Sequence, residues 1–232
     1  MGGSRAQIED FSSHVSVMFQ KYPMCGGSII DELHVVTAAC CAVHYRGVFY
    51  SNLIVVAGAD DLDDISPSNV YSVSFITFHE NYLPRDLWVH DIAILTLTRP
   101  IIFSPKILPT PLLTQKLHVE TPSRIPSFGQ TYPSPILHYS RFLRVLNILA
   151  IAHHRCSNYY ELFGNLNQNQ NCILLPSPDS SVLMGDGGSG IYSQRRLLGI
   201  ASFVAVNIGS PAVYTSIPPY LDFRNHNSII YV

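Results

Sequence analysis

Cysteine and histidine are the residue types in this sequence with the widest chemical range. Five cysteines, Cys25, Cys40, Cys41, Cys156 and Cys172, allow two disulfides and leave one free thiol. That count fits an oxidising compartment, although spacing alone does not pair the cysteines. The ten histidines are scattered, and neither an HExxH nor a CxxC spacing occurs. The sequence therefore predicts disulfide chemistry, with no metal and no cofactor.

The elements that must position these residues are predicted to be β-strands. Charged residues make up 13% of the chain, about half of the roughly 25% usual in globular domains, and 16 prolines and 14 glycines interrupt it. Nine runs have strand character, at 15–19, 27–30, 34–37, 53–57, 71–78, 92–97, 142–151, 197–206 and 212–215. Helices are predicted at 153–163 and at 219–225, the second opened by two prolines.

The proline-rich stretch 108–135 shows little periodicity and is interpreted as a connector between two β units of similar length. The formal net charge of −2, with no basic cluster longer than Arg195-Arg196, argues against nucleic acid as a partner. Apolar runs such as 142–152 fall short of the roughly 20 residues that cross a bilayer. We expect no membrane insertion, and we interpret the Met-Gly-Gly start, without a leader pattern, as a mature form.

Four ordered blocks resemble the chymotrypsin family of trypsin-like (S1) serine proteases. They are CGGSII from Cys25, VVTAACC ending at Cys41, DIAIL from Asp91 and GDGGSG from Gly185. Active members have CGGSL/I, TAAHC, DIALL and GDSGGP there, and PAVYT from Pro211 resembles their PGVYT. The resemblance spans the chain. It implies an all-β fold of two antiparallel six-stranded β-barrels with a short intermediate helix and a C-terminal helix.

The resemblance also implies the domain organisation and the disulfides. The N-terminal barrel is expected at 1–112, the C-terminal barrel at 113–218, and a C-terminal helix and tail at 219–232, all within one peptidase domain. Family bridges correspond to Cys25–Cys41 and Cys156–Cys172, which leaves Cys40 as the free thiol. A third family bridge, beside the active-site serine, is missing because Leu183 stands at one end and Asn207 or a neighbour at the other.

Two members of the catalytic triad are replaced at the matching positions. Cys40 stands for the histidine of TAAHC and Gly187 for the serine of GDSGGP, while the carboxylate remains as Asp91. Loss of either nucleophile or base costs a triad enzyme on the order of 10⁶ in turnover. Ser189 is expected to point away from the cleft. An oxyanion-hole remnant is expected from the backbone N–H groups of Gly185 and Gly187.

The predicted substrate channel also departs from the family pattern. Ser181 occupies the primary specificity position, so the carboxylate of a tryptic pocket is absent. In the run from Ser202 to Val204, valine adds bulk where active relatives usually have glycine. In active relatives, the aspartate matching Asp186 pairs with a newly formed amino terminus. The start at Met1 resembles IVGG without its isoleucine, which leaves open whether such a pair forms.

Short phrases such as SIIDEL from Ser28 and FHENY from Phe78 resemble mite trypsin-like proteases and the inactivated protease paralogues of the scabies mite. That resemblance implies a catalytically inactive, monomeric protein secreted into the gut lumen, which binds host proteins, complement components among them. The candidate contact loops are 159–171, 60–69 and 122–135, although each is equally well explained as a variable solvated loop.

Two alternatives to this function remain. The chain could be a weak hydrolase that uses Cys40 or a relocated serine, with His44 or His90 as base. A carboxylate beside Cys40 raises a thiol's pKa, however, and scattered loop histidines are usually structural. The third alternative is a drifting paralogue without a selected function. The intact framework and two complete bridges argue against it.

Overall fold

The computed structural model describes residues 2–43, 48–116, 120–132, 138–162, 164–175, 177, 180–204, 211–222 and 227–231. The chain starts with a short strand, β1 (Ser4–Arg5), and a 3-10 turn (Ile8–Phe11) that buries Ile8 and Phe11. After that turn, the described residues form two closed antiparallel barrels.

The first barrel has six strands in the order β6-β5-β2-β3-β4-β7, and pairing of β6 with β7 closes it. Along β2, Val15 and Val17 enter the barrel core, while His14 and Ser16 lie on the opposite side of the strand and are also buried, which is the period of two expected of a strand. The strands are β2 (His14–Phe19), β3 (Tyr22–Ile29), β4 (His34–Thr37), β5 (Ile54–Ala57), β6 (Val70–His79) and β7 (Ala93–Leu97).

The second barrel is built in the same way, in the order β9-β10-β13-β12-β11-β8, and β8 closes it against β9. Its strands are β8 (Thr121–Ser127), β9 (Arg144–Ile151), β10 (Gln170–Leu174), β11 (Gly190–Ser193), β12 (Arg196–Val204) and β13 (Ala212–Ser216). Helix α1 (His153–Tyr160) lies between β9 and β10. Its buried face, Cys156 and Tyr160, follows the helical spacing of four residues.

Each barrel carries a seventh strand from the opposite end of the chain. β1 pairs with β9 of the second barrel, with Ser4 opposite Val145. The last strand, β14 (Asn227–Tyr231), pairs with β6 of the first barrel. The prediction of two six-stranded barrels with an intermediate helix is confirmed, and the boundary near residue 112 stays a prediction.

The prediction that 108–135 is only a connector is wrong, because β8 lies within it. Pro122 and Pro126 made this strand hard to predict, because proline lacks the backbone N–H that donates a hydrogen bond to a paired strand. The two prolines are four residues apart, so both missing donors face the same side of the strand. All seven residues of β8 have partners in β9.

The predicted C-terminal helix at 219–225 is also wrong in its described part. Residues Pro218–Tyr220 form a single 3-10 turn, and 223–226 lie outside the described residues. Beyond them the chain is extended as β14, where isoleucine and tyrosine have high strand propensity. The two prolines therefore begin one turn, and pairing with β6 determines the conformation beyond the undescribed gap.

Candidate functional site

Asp91 stands immediately before β7 and is fully buried. The segment before Asp91 is bent sharply, because Leu87, Trp88 and His90 all have positive φ angles (48°, 50° and 58°). Such angles are costly for residues with side chains and persist only where surrounding contacts enforce them. One of those contacts comes from β13, where the Thr215 hydroxyl donates to the Asp91 carbonyl oxygen at 3.0 Å.

The Asp91 carboxylate is held by one donor from each barrel. The backbone N–H of Cys40 donates to Oδ1 at 2.8 Å, and the Ser202 hydroxyl donates to Oδ2 at 2.5 Å. Burial raises the pKa of Asp91, and these hydrogen bonds oppose that rise because they favour the ionised form. The sequence placed Ser202 in the specificity pocket and gave no sign that it would contact Asp91.

Cys40 lies in a 3-10 turn (Ala39–Cys41) that follows β4 and is half-buried. Burial, reinforced by the nearby Asp91 carboxylate, raises the pKa of the Cys40 thiol well above its ordinary value. The thiol is therefore protonated at neutral pH and is a poor nucleophile. The predicted pairings Cys25–Cys41 and Cys156–Cys172 are both confirmed, and Cys40 is free.

Gly187 lies where the two barrels meet. Its carbonyl accepts a hydrogen bond from the Gly26 N–H of β3 at 2.8 Å. A Cβ atom added at Gly187 would lie 3.8 Å from the Ser202 carbonyl oxygen and 3.9 Å from each sulfur of the Cys25–Cys41 bridge. These are ordinary van der Waals distances. A side chain would therefore fit at this position, and the nucleophile is absent only because the residue is glycine.

At the predicted oxyanion-hole remnant, the backbone of Gly185 requires glycine. Gly185 has a φ of +90°, and an added Cβ would come within 2.9 Å of the Gly129 Cα and of the Tyr139 ring. Among the described residues, the N–H groups of Gly185 and Gly187 have no hydrogen-bond acceptor. Ser189, the nearest serine, is fully buried against β3 at Gly26 and is not presented to the cleft.

Asp186 is fully buried between these two glycines. Its Oδ2 accepts a hydrogen bond from the Leu183 N–H at 2.8 Å, while Oδ1 has no partner within the described part of the chain. Burial raises the pKa of Asp186 to about 6. Met1 and Asn207 lie outside the described residues, so the pairing of Asp186 with an amino terminus is left open as before, and the missing third bridge stays a prediction.

The predicted specificity positions are only partly described. Ser181 is buried, and its hydroxyl donates to the Val182 carbonyl oxygen at 3.2 Å. The Val204 side chain lies outside the described residues. Phe203 packs between Trp88, with ring centroids 5.0 Å apart, and Tyr160, at 5.8 Å. The sequence gave no signal for Trp88, whose place follows from the bent segment before Asp91.

The histidines considered as bases do not join this site. His90 stacks on His79 at 3.9 Å between ring centroids, and its Nδ1 forms a 2.8 Å hydrogen bond with the Tyr220 hydroxyl. Burial lowers the pKa of both imidazoles. His44 lies outside the described residues. Across the part that is described, no three His, Cys, Asp or Glu side chains lie close enough to hold a metal ion.

A sequence comparison identifies the family. The model of the family described as Trypsin matches residues 1–223. With two six-stranded barrels and the site between them, the chain belongs to the trypsin family, whose fold is that of chymotrypsin-like serine endopeptidases. No helix among the described residues is long and apolar enough to span a membrane.

The curated relatives are of several kinds. The chain is 29% identical over 205 residues to azurocidin of Sus scrofa (88% of this chain, 77% of the relative). It is 27% identical over 197 residues to trypsin of Sarcophaga bullata (84% and 74%). It is also 27% identical over 217 residues to the clotting factor G beta subunit of Tachypleus tridentatus (86% and 69%).

Solved structures agree on the fold. Mouse neuropsin superposes with a TM-score of 0.83 at 22% identity, covering 96% of both chains. A mutant of human heparin binding protein (CAP37) superposes with a TM-score of 0.82 at 23% identity, covering 97% of this chain and 95% of that one. At such identities the likeness establishes the fold alone.

Proposed function

We propose that this chain is a catalytically inactive member of the family that acts by binding other proteins. The observation that carries the proposal is the identity of the residues at the other two triad positions. Gly187 offers no nucleophile, and Cys40 offers a protonated thiol where a base is needed. A triad without nucleophile and base retains only binding and an oxyanion hole.

The proposed setting follows from the resemblance to the inactivated scabies mite paralogues. The protein is secreted into the gut lumen, and the two disulfides suit such an oxidising compartment. There it binds host proteins and interferes with complement components or competes for their targets. The alternative, a weak hydrolase using Cys40 or a relocated serine, is opposed by the raised pKa of Cys40 and by the burial of Ser189.

The test is complement deposition and lysis in human serum, measured for each pathway, with peptide hydrolysis followed in the same tubes. We expect dose-dependent inhibition without cleavage by the folded protein and none by a heat-unfolded control. Inhibition that tracks cleavage would contradict the binding function. Absence of any effect would remove complement as the target and leave unbiased capture of partners from host plasma as the next step.

A further inference from the structure

A groove of about 460 Å³ lies away from the triad positions and shares no lining residue with them. Its walls come from the first 3-10 turn, the stretch that leads into the second barrel, and the tip of the β11–β12 hairpin. Its lining includes Asp10, Phe11, Leu108, Pro111, Arg124 and Arg195.

Backbone hydrogen bonds to both barrels fix the shape of this groove. The Leu108 N–H donates to the Ser12 carbonyl oxygen of the first barrel at 2.9 Å. The Leu197 N–H of the second barrel donates to the Pro111 carbonyl oxygen at 2.9 Å. Pro105, Pro109 and Pro111 further restrict the same wall. A surface held in this way loses little conformational entropy when a ligand binds.

Two arginines give the groove its charge. The Arg124 guanidinium stacks over the Phe11 ring, 4.7 Å from its centroid, and Arg124 as a whole is exposed. Arg195 lies in the left-handed hairpin turn (φ 62°) and lines the same groove. Among the described residues, neither guanidinium forms an ion pair.

The acidic residues of the groove, Glu9 and Asp10, match the two arginines in number. Glu9 is paired with Lys106, 3.4 Å away. Asp10 has no ion-pair partner among the described residues. With Lys106 counted beside Glu9, the groove and its edge have one more positive than negative charge, on a molecule whose formal net charge is −2.

An exposed apolar rim borders the groove. Ser104 and Ile107 pair across a tight turn, which places Phe103 opposite Leu108 in register. Their exposed fractions are 41% and 43%, and that of neighbouring Ile102 is 76%. Apolar side chains clustered beside a polar groove are typical of protein interaction surfaces.

We propose that this groove binds an extended acidic segment of a partner protein. A carboxylate of the segment binds Arg124 in a bidentate manner, Arg195 receives a second, and an apolar side chain packs on Phe103 and Leu108. The inference rests on the proposed binding function and names its partner class and surface.

The test uses the full chain and a fluorescein-labelled peptide of alternating Asp and Leu residues, with binding followed by fluorescence anisotropy. We expect saturable binding that weakens with added salt. Arg124→Gln should weaken it about tenfold, since charge-assisted bidentate hydrogen bonds are lost, and adding Arg195→Gln should weaken it further. The matched control is Arg85→Gln, an exposed arginine outside the groove, which should bind as the unaltered chain does.

Several results would overturn the groove assignment: no saturable binding, equal binding of the peptide with Asn for Asp, or unchanged affinity in the double variant. Binding of heparin without binding of the peptide would overturn it too and would indicate a polysaccharide site. Peptide binding without any serum effect would support the groove and contradict only the complement role. Serum inhibition of equal potency in the double variant would contradict the groove alone.

Discussion

At the scale of single residues, the positions that match the catalytic triad combine altered residue types with well-defined polar contacts. Asp91 keeps donors from Cys40 and Ser202, and Gly187 has room for a side chain. Polar contacts therefore remain around Asp91, while cysteine and glycine stand at the positions matching the other two triad residues. This makes reconstruction by substitution a direct test of the proposed inactivity.

We predict that Gly187→Ser alone leaves hydrolysis of p-nitrophenyl acetate at background, because the protonated Cys40 thiol cannot accept the serine proton. Cys40→His alone should also be inactive, since no nucleophile is present. The combination Cys40→His with Gly187→Ser should give serine-dependent acetylation, detected by mass spectrometry. Acetylation of residue 187 in the Gly187→Ser single variant would contradict this account.

His14 is the second residue whose chemistry can be measured directly. It faces outward from β2 toward Phe128, with ring centroids 5.9 Å apart, and neither ring nitrogen has a hydrogen-bond partner among the described residues. Burial lowers the pKa of His14 from 6.5 to about 3. The folded protein thus excludes a proton that the unfolded chain binds, so stability is lost as pH falls from 6.5 toward 3.

We predict that His14→Phe removes this acid sensitivity and packs against Phe128. Below pH 6.5, the free energy of unfolding of the unaltered chain should fall by up to about 1.4 kcal/mol per pH unit more than that of the variant. Urea titrations at several pH values measure the difference. Parallel pH profiles for the two proteins would show that folding does not lower the pKa of His14.

At the scale of elements, the two barrels are joined by a contact between the loop after β5 and the segment before β9. The Leu62 N–H donates to the Arg141 carbonyl oxygen, and the Leu143 N–H donates to the Asp60 carbonyl oxygen, both at 2.9 Å. Arg141 also donates to both carboxylate oxygens of Asp61 at 2.7 Å. The Asp61 carboxylate in the loop after β5 is thus bound to an arginine of the segment before β9.

We predict that the pKa of Asp61 shows whether this contact is formed. The hydrogen bonds from Arg141 lower the pKa of Asp61 to about 2, so their contribution to stability is present above the ordinary value of 3.8 and is lost as pH falls toward 2. In Arg141→Gln, the Asp61 pKa followed by carboxyl NMR should return toward 3.8. A matched Arg85→Gln variant should leave it unchanged, and a pKa near 2 in Arg141→Gln would exclude Arg141 as the cause.

At the scale of the whole molecule, the sequence predicted the two barrels but missed several of their strands. Runs with alternating or continuous apolar residues, such as those of β6 and β7, stand out because local composition determines them. β8 was concealed by its prolines, and the short strands β10 and β11 by polar or glycine residues, because these form through pairing with distant strands. The C-terminal strand depends on β6 for the same reason.

The site likewise has a part that the sequence predicted and a part that it did not. The positions of Cys40, Asp91 and Gly187 and both disulfides follow from motif order, because each motif has its own place in the fold. The contacts of Ser202 and Thr215 with Asp91, and of Trp88 with Phe203, join segments more than 100 residues apart in sequence. No local pattern encodes such contacts, so only the folded chain reveals them.

The exchange of terminal strands between the barrels affects how the molecule tolerates being cut. Because β1 completes the second sheet and β14 the first, cleavage between the barrels would leave two fragments, each clasping the other by one strand. A digestive enzyme that nicked the connecting stretch would therefore not immediately release two independent halves. In a proteolytic environment, the two halves of such a molecule would stay assembled after its backbone had been broken.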